Sequence, residues 1–195
     1  MTTLQWPPVR IDAPPRAAAW QIRRVHSGDA AAMQRFVDAL SAANRRWRFH
    51  GAVKAGAALV AALVGGDAVW AAFHGHALIG EARFVRDRAA PERAEMAIAV
   101  ADGWQERGVA AALLATLRAE ARSAGVRVLR ADVMGDNARM QRFLQRHGFT
   151  PRLQWDGAGD SVVFERRLAA PRPWHRLASW LREHGPLVPR RAVPA

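Results

Sequence analysis

Residues 94–114 concentrate the side chains and backbone features able to do chemistry; they read AEMAIAVADGWQERGVAAALL. An apolar segment leads into a short loop holding Gln105, Gly108 and Ala110, and then into a long helical pattern. Small residues at Gly108 and Ala110 let a ligand approach the backbone closely. The helix start adds unpaired N–H groups and the positive end of its dipole. Together these features make an anion site suited to a pyrophosphate. A tight strand-to-helix turn calls for the same small residues, so the spacing alone leaves both readings open. Glu95 is the only ionisable residue in 94–100. A partly dry setting is expected there, where desolvation raises a carboxylate's proton affinity towards that of a general base. The alternative is a strand-end glutamate paired with one of the many arginines.

Other polar residues read more simply. Glu81, in the middle of a strand pattern, is expected to pair with Arg83 or another basic residue. His74 and His76 flank Gly75 like half a metal site; no third ligand is nearby, so a solvated turn is expected and no metal. His147 falls on the apolar side of its helix and reads as a packed histidine. No Ser-His-Asp spacing and no Gly-x-x-x-x-Gly-Lys motif occurs.

These groups must be positioned by the elements around them. The pattern predicts a strand over 20–25 and a helix from an Asp29 N-cap through Leu40. A short helix capped by Ser41 follows, and another helix over 53–64. A hairpin is expected from strands over 68–73 and 77–85, then a strand over 93–100. Val109, Leu113, Leu114, Leu117 and Ala121 recur at helical spacing over 108–124, with Gly125 as the stop. A strand over 126–133, a helix over 137–147 and a last hairpin over 149–155 and 161–167 complete the order. The unit over 93–133 is expected to be a right-handed parallel crossover. The fold class is therefore α/β (α+β), with a mixed, mostly antiparallel sheet and helices on both faces.

The chain has 195 residues, half of them hydrophobic, enough for one domain with extensions. Prolines crowd residues 1–19 and 169–195, which read as an N-terminal arm and a basic tail around a domain over 20–168. In the tail Trp174, Leu177, Ala178 and Leu181 form a short amphipathic stripe. No run approaches the roughly 20 apolar residues of a membrane span. No charged and then apolar leader opens the chain, so a cytoplasmic location is expected. The absence of cysteine excludes disulfides, thiolate metal sites and a cysteine nucleophile. Net charge is +12, and every basic residue except Lys54 is arginine. That excess reads first as general basicity; a nucleic-acid or other anionic partner is the alternative and is not favoured.

Ile98-Ala99-Val100, Gln105-Glu106-Arg107-Gly108-Val109-Ala110, Asn137-x-x-Met140 and His147-Gly148-Phe149 together resemble the GNAT superfamily of acyl-CoA-dependent N-acyltransferases. Within it, residues 93–97, Trp104-Gln105, and Leu40, Ser41, Arg48 and Phe49 are similar to bacterial Pat-type protein lysine acetyltransferases. Ala110 replaces the usual glycine, and Glu106 stands where a small residue is common. The resemblance implies that acetyl-CoA, or another short acyl-CoA, is the co-substrate. It implies that Ile98, Ala99 and Val100 pair with pantetheine as a neighbouring strand would. The amides of Glu106, Arg107, Gly108, Val109, Ala110 and Ala111 would hold the pyrophosphate, beside Gln105. Asn137 would bond the pantetheine arm, directly or through a water. A backbone N–H near Val100 would polarise the acyl carbonyl. Glu95 would be the general base for an amine acceptor, a protein lysine first and a small-molecule amine second. A binding module for acyl-CoA or nucleic acid, without turnover, is the third reading. Many members place a tyrosine on the last helix as acid towards the leaving thiol; here that position is Leu144, and the chain contains no tyrosine. The implied sheet splays between its two parallel strands, with the thioester in the gap.

Overall fold

The computed structural model describes residues 19–51, 56–65, 68–152 and 161–169. The proline-rich arm, the tail stripe and the last hairpin's turn lie outside the described residues. Seven strands form one sheet in the order β1-β2-β3-β4-β5-β7-β6. They are β1 (Gln21–Arg24), β2 (Val69–His74), β3 (Ala77–Arg86), β4 (Arg93–Val100), β5 (Val128–Met134), β6 (Thr150–Arg152) and β7 (Ser161–Arg167). Every neighbouring pair is antiparallel except β4 and β5, which run parallel. The helices are α1 (Ala30–Ala39), α2 (Ala42–Phe49), α3 (Ala57–Val64), α4 (Val109–Ser123) and α5 (Ala138–Arg146).

The predicted order of elements is the observed one, and α4 connects the parallel pair. Its stripe of Val109, Leu113, Leu114, Leu117 and Ala121 is fully buried. Each leucine so buried is worth about 1.5–3 kcal/mol. The stripe lies close to the sheet because Gly80 has no side chain: a Cβ there would sit 3.2 Å from Val109 and 3.1 Å from Leu113. Glu81 therefore points to the opposite face, where it meets Arg48 of α2. Helices thus cover both faces.

Two local expectations are corrected. Asp29 stands at the N-cap of α1, but its side chain does not cap that helix. Its carboxylate turns back to accept from the His26 amide at 3.0 Å and from Arg23 Nη1 and Nη2 at 2.7 Å each, closing a 3-10 turn over Ser27–Asp29. β5 begins at Val128, not at residue 126, because the Val126 amide is still bonded to Ala121 O at the end of α4. Ser41 does cap α2, accepting from the Asn44 amide. β6 is described only over Thr150–Arg152 of the expected 149–155.

Candidate active site

β4 and β5 pair at only three positions: Arg93 with Val128, Ala94 with Leu129, and Glu95 with Arg130. Beyond Glu95 the β4 edge that faces β5 has no strand partner as far as Val100. The strands diverge there, and a cavity of about 1300 Å³ fills the gap. Ile98, Ala99 and Val100 line it from β4. Opposite them, Ala131, Asp132 and Val133 line it from β5. An unpaired strand edge offers N–H and C=O groups to an extended ligand.

The loop ahead of α4 closes one end of the cavity. A 3-10 turn over Asp102–Trp104 seats the Trp104 ring in the core, and the Gln105 side-chain amide donates to Val100 O at 3.3 Å. Glu106 and Gly108 both take left-handed backbone conformations, φ 61° and 82°. For Glu106 that conformation costs about 1–2 kcal/mol, a strain typical of functional turns. No side chain caps α4. The amides of its first turn are therefore open to a ligand. A Cβ at Gly108 would meet nothing within 4 Å, so the backbone is open on that side.

Of the residues expected to meet a CoA-like ligand, Ile98, Ala99, Val100, Gln105, Glu106, Gly108, Ala110, Ala111 and Asn137 all line the one cavity. Arg107 and Val109 do not. The Arg107 guanidinium lies 5.7 Å from the Trp104 ring centroid, and Val109 is buried against Gly80. Asn137 precedes α5 as its N-cap; its Oδ1 accepts from the Met140 amide at 3.1 Å, which leaves Nδ2 as its donor. Leu144, at the position where a tyrosine would serve, is buried in the cavity wall. His147 is packed as expected, 4.3 Å from the Phe143 ring and 2.8 Å from Phe143 O. His74, expected in a solvated turn, is instead the last residue of β2, with its ring against Ala19 O and the Trp104 ring. Among the described residues no group of three His, Cys, Asp or Glu could hold a metal.

Glu95 lines the cavity, but it is exposed and not in the partly dry setting expected of it. It is the last β4 residue paired to β5, and across β3 its register partner is Val85, itself 60% exposed. Both residues line the cavity and both are open to solvent, so the cavity is open on this side. Deeper on the same face Glu81 is 1% exposed and pairs with Arg48 Nε at 2.5 Å. That is the pairing expected of Glu81, with α2 in place of Arg83. Burial holds the Arg83 guanidinium below its usual pKa; the Arg48 charge adds to this, while Glu81 and Glu95 oppose it.

The sequence reading missed how α2 is held. It is tied at one end to Asp102, which accepts from Ser41 N at 3.0 Å, Ser41 Oγ at 2.9 Å and Asn44 Nδ2 at 2.8 Å. Arg48 ties it to β3. At its other end Arg46 and the Trp47 indole reach Asp136, and His50 Nε2 lies 3.2 Å from Asp132 O. The helix thus bridges the splayed strands from β3 to the end of β5. These partners are 58 to 90 residues apart in sequence for all but the Arg48 pair, and no local pattern signals them.

Known proteins share this fold. Residues 35–149 match the model of the acetyltransferase (GNAT) family. Over 71 residues the chain is 37% identical to Acetyltransferase Pat of Mycolicibacterium smegmatis; the match covers 36% of this chain and 21% of that protein. This chain thus spans about a fifth of that relative. The GNAT domain of the Streptomyces PAT from S. lividans superposes with a TM-score of 0.72 at 27% identity, covering 76% of this chain and 90% of that one. The yncA protein of Salmonella typhimurium, solved with its cofactor acetyl-CoA, has a TM-score of 0.61 at 23% identity, covering 80% and 99%. The splayed parallel pair, the uncapped helix start within Gln105-x-x-Gly108-x-Ala110 and the family match over more than half its length agree: this chain belongs to the GNAT acetyltransferase family.

Proposed function

We propose that the chain transfers an acetyl group from acetyl-CoA to the side-chain amine of a protein lysine, by direct attack with both substrates bound. The observation that carries the choice of a protein acceptor is the open mouth of the cleft, where Glu95 and Val85 are both exposed. A small-molecule amine enzyme would need an enclosed acceptor pocket there. The relation to Pat leans the same way. The chain holds no cysteine to carry the acyl group, so the amine attacks the thioester itself.

When bound, acetyl-CoA supplies an activated acyl group and a thiolate leaving group. The free edge over 98–100 binds the pantetheine arm, and the amides over 106–111 bind the pyrophosphate beside Gln105. Asn137 Nδ2 donates to the arm. A backbone N–H near Val100 polarises the acyl carbonyl. Glu95 takes the proton of the acceptor amine. With no tyrosine in the chain, water protonates the departing thiolate. In this reading residues 20–168 are the catalytic domain and its place is the cytoplasm. No helix among the described residues is long and apolar enough to cross a membrane.

Acetyl transfer to a panel of lysine peptides and small amines tests the acceptor, and Glu95→Gln tests the base. Glu95→Gln should still bind acetyl-CoA but lose turnover by about 10²–10⁴-fold. The loss should shrink as pH rises and more amine is already neutral. Transfer to small amines alone would refute the protein acceptor. Unchanged turnover in Glu95→Gln at neutral pH would remove Glu95 from the mechanism.

A further inference from the structure

The sheet face beneath α2 carries a second carboxylate that this mechanism does not use. Asp132 lies on β5, two residues beyond Arg130, where pairing to β4 ends. Alternation along the strand puts Asp132 on the same face as Arg130, and so on the face of Glu95, the register partner of Arg130. Glu95 and Asp132 therefore flank the point where the strands part, one on each side. Asp132 lines the cavity, and its Oδ1 is buried with no hydrogen-bond partner. None of the ion pairs among the described residues includes it. His50 meets this residue at its backbone carbonyl and not at its carboxylate. Arg130 Nε, two residues back on the strand, is also buried and unpartnered.

A buried carboxylate oxygen without a donor is costly, and such atoms in folded proteins are normally satisfied. α2 crosses this face, and the strand's own backbone is committed to β7. Asp132 is only partly buried, and the side left open to it is the cavity, from which a ligand can donate to Oδ1. A cation meets the charge as well as the hydrogen bond. Resting on the reading above, we infer that Asp132 binds the ammonium group of the acceptor and so selects amines that arrive protonated. The ammonium has three N–H bonds. One proton passes to Glu95 and another points at Asp132. The freed nitrogen lone pair forms the C–N bond as the C–S bond breaks. The second proton lost from nitrogen reaches the thiolate through water, and Glu95 returns the first to solvent. Asp132 holds its N–H throughout and ends unchanged. Glu95 is thus the proton acceptor and Asp132 the selector, on opposite sides of one gap.

Asp132→Asn keeps the shape and removes the charge, and Asp132→Ser shortens the side chain as a second variant. Each is compared with the parent using two acceptors: a lysine peptide, cationic at neutral pH, and a peptide hydrazide, uncharged there. Both variants should raise the KM for the lysine peptide by at least about tenfold, the loss of one charged hydrogen bond. The KM for the hydrazide should rise several-fold less than that for the lysine peptide, and the KM for acetyl-CoA should not move. Calorimetric titration of CoA-bound protein with lysine amide should show the same weakening without any turnover. A parent that binds lysine amide through Asp132 but acetylates no amine would sink the transfer reading and keep this one. Equal losses for both acceptors, or none for either, would overturn the role of Asp132.

Discussion

Gly108 offers a test in which backbone strain and electrostatics separate. Its φ of 82° is left-handed, and a Cβ there meets nothing within 4 Å. Any L-residue at this position therefore adds a backbone cost of about 1–2 kcal/mol without a clash. Gly108→Ala, Gly108→Glu and Gly108→Arg share that cost and should melt alike. They differ in the charge brought to the amides before α4. A unit charge about 4 Å from another is worth about 1 kcal/mol in water and about 4 kcal/mol at an effective dielectric of about 20. If a pyrophosphate sits at these amides, Gly108→Glu should bind CoA about five- to a thousand-fold more weakly than Gly108→Ala. Gly108→Arg should bind at least as well as Gly108→Ala. Calorimetric titration with CoA reads the three constants, and raising the salt should draw them together. Equal affinities for the alanine and glutamate variants at low salt would refute the pyrophosphate assignment, because strain alone would then account for every change.

The remaining predictions concern what holds the cleft and its surroundings in place. Arg48→Met strands the Glu81 charge, only 1% exposed, and should cost about 3–5 kcal/mol in denaturant unfolding, whereas Arg48→Met with Glu81→Leu should recover most of that. A single variant as stable as the parent would mean that the pair is not compensated as described. Arg23 hydrogen bonds, helped by the His26 amide and against the effect of burial, hold the Asp29 carboxyl at about 2, down from 3.8. Stability from this group is present above pH 3.8 and drains away as pH falls towards 2. A plot of Tm against pH should be flatter over that span for Asp29→Asn than for the parent, and parallel curves would refute the linkage.

Most of the architecture was legible because its signals are local. The α4 stripe from Val109 to Ala121 has helical spacing, and the turn at Gly75 announces a hairpin. Small residues at Gly108 and Ala110 mark a loop that a ligand can approach. Asp29 misled because an acidic residue before a helix is a good cap, yet Arg23, six residues back, offers its carboxylate a stronger partner. Glu95 misled for a related reason. Its neighbours from Met96 to Val100 are apolar and almost all buried, so the segment reads as dry. Whether one residue of a strand is covered depends on where the next strand stops pairing, and nothing in β4 encodes the divergence of β5. The anchors of α2 at Asp102, Asp136 and Asp132 are invisible for the same reason: each joins segments that only the folded sheet brings together.

This division has a physical consequence for function. The loop over 105–111, proposed above to hold the cofactor, is a local structure set by consecutive residues. The acceptor side is assembled from α2, β3, β4 and β5, through pairs such as Arg48–Glu81 and Trp47–Asp136. A change in any of those elements reshapes the mouth beside Glu95 while leaving the cofactor loop intact. In the proposed reading the cofactor side is therefore legible in a few consecutive residues. In the same reading acceptor choice is a property of the whole splayed face, because Glu95 and Asp132 are brought together only where β4 and β5 part.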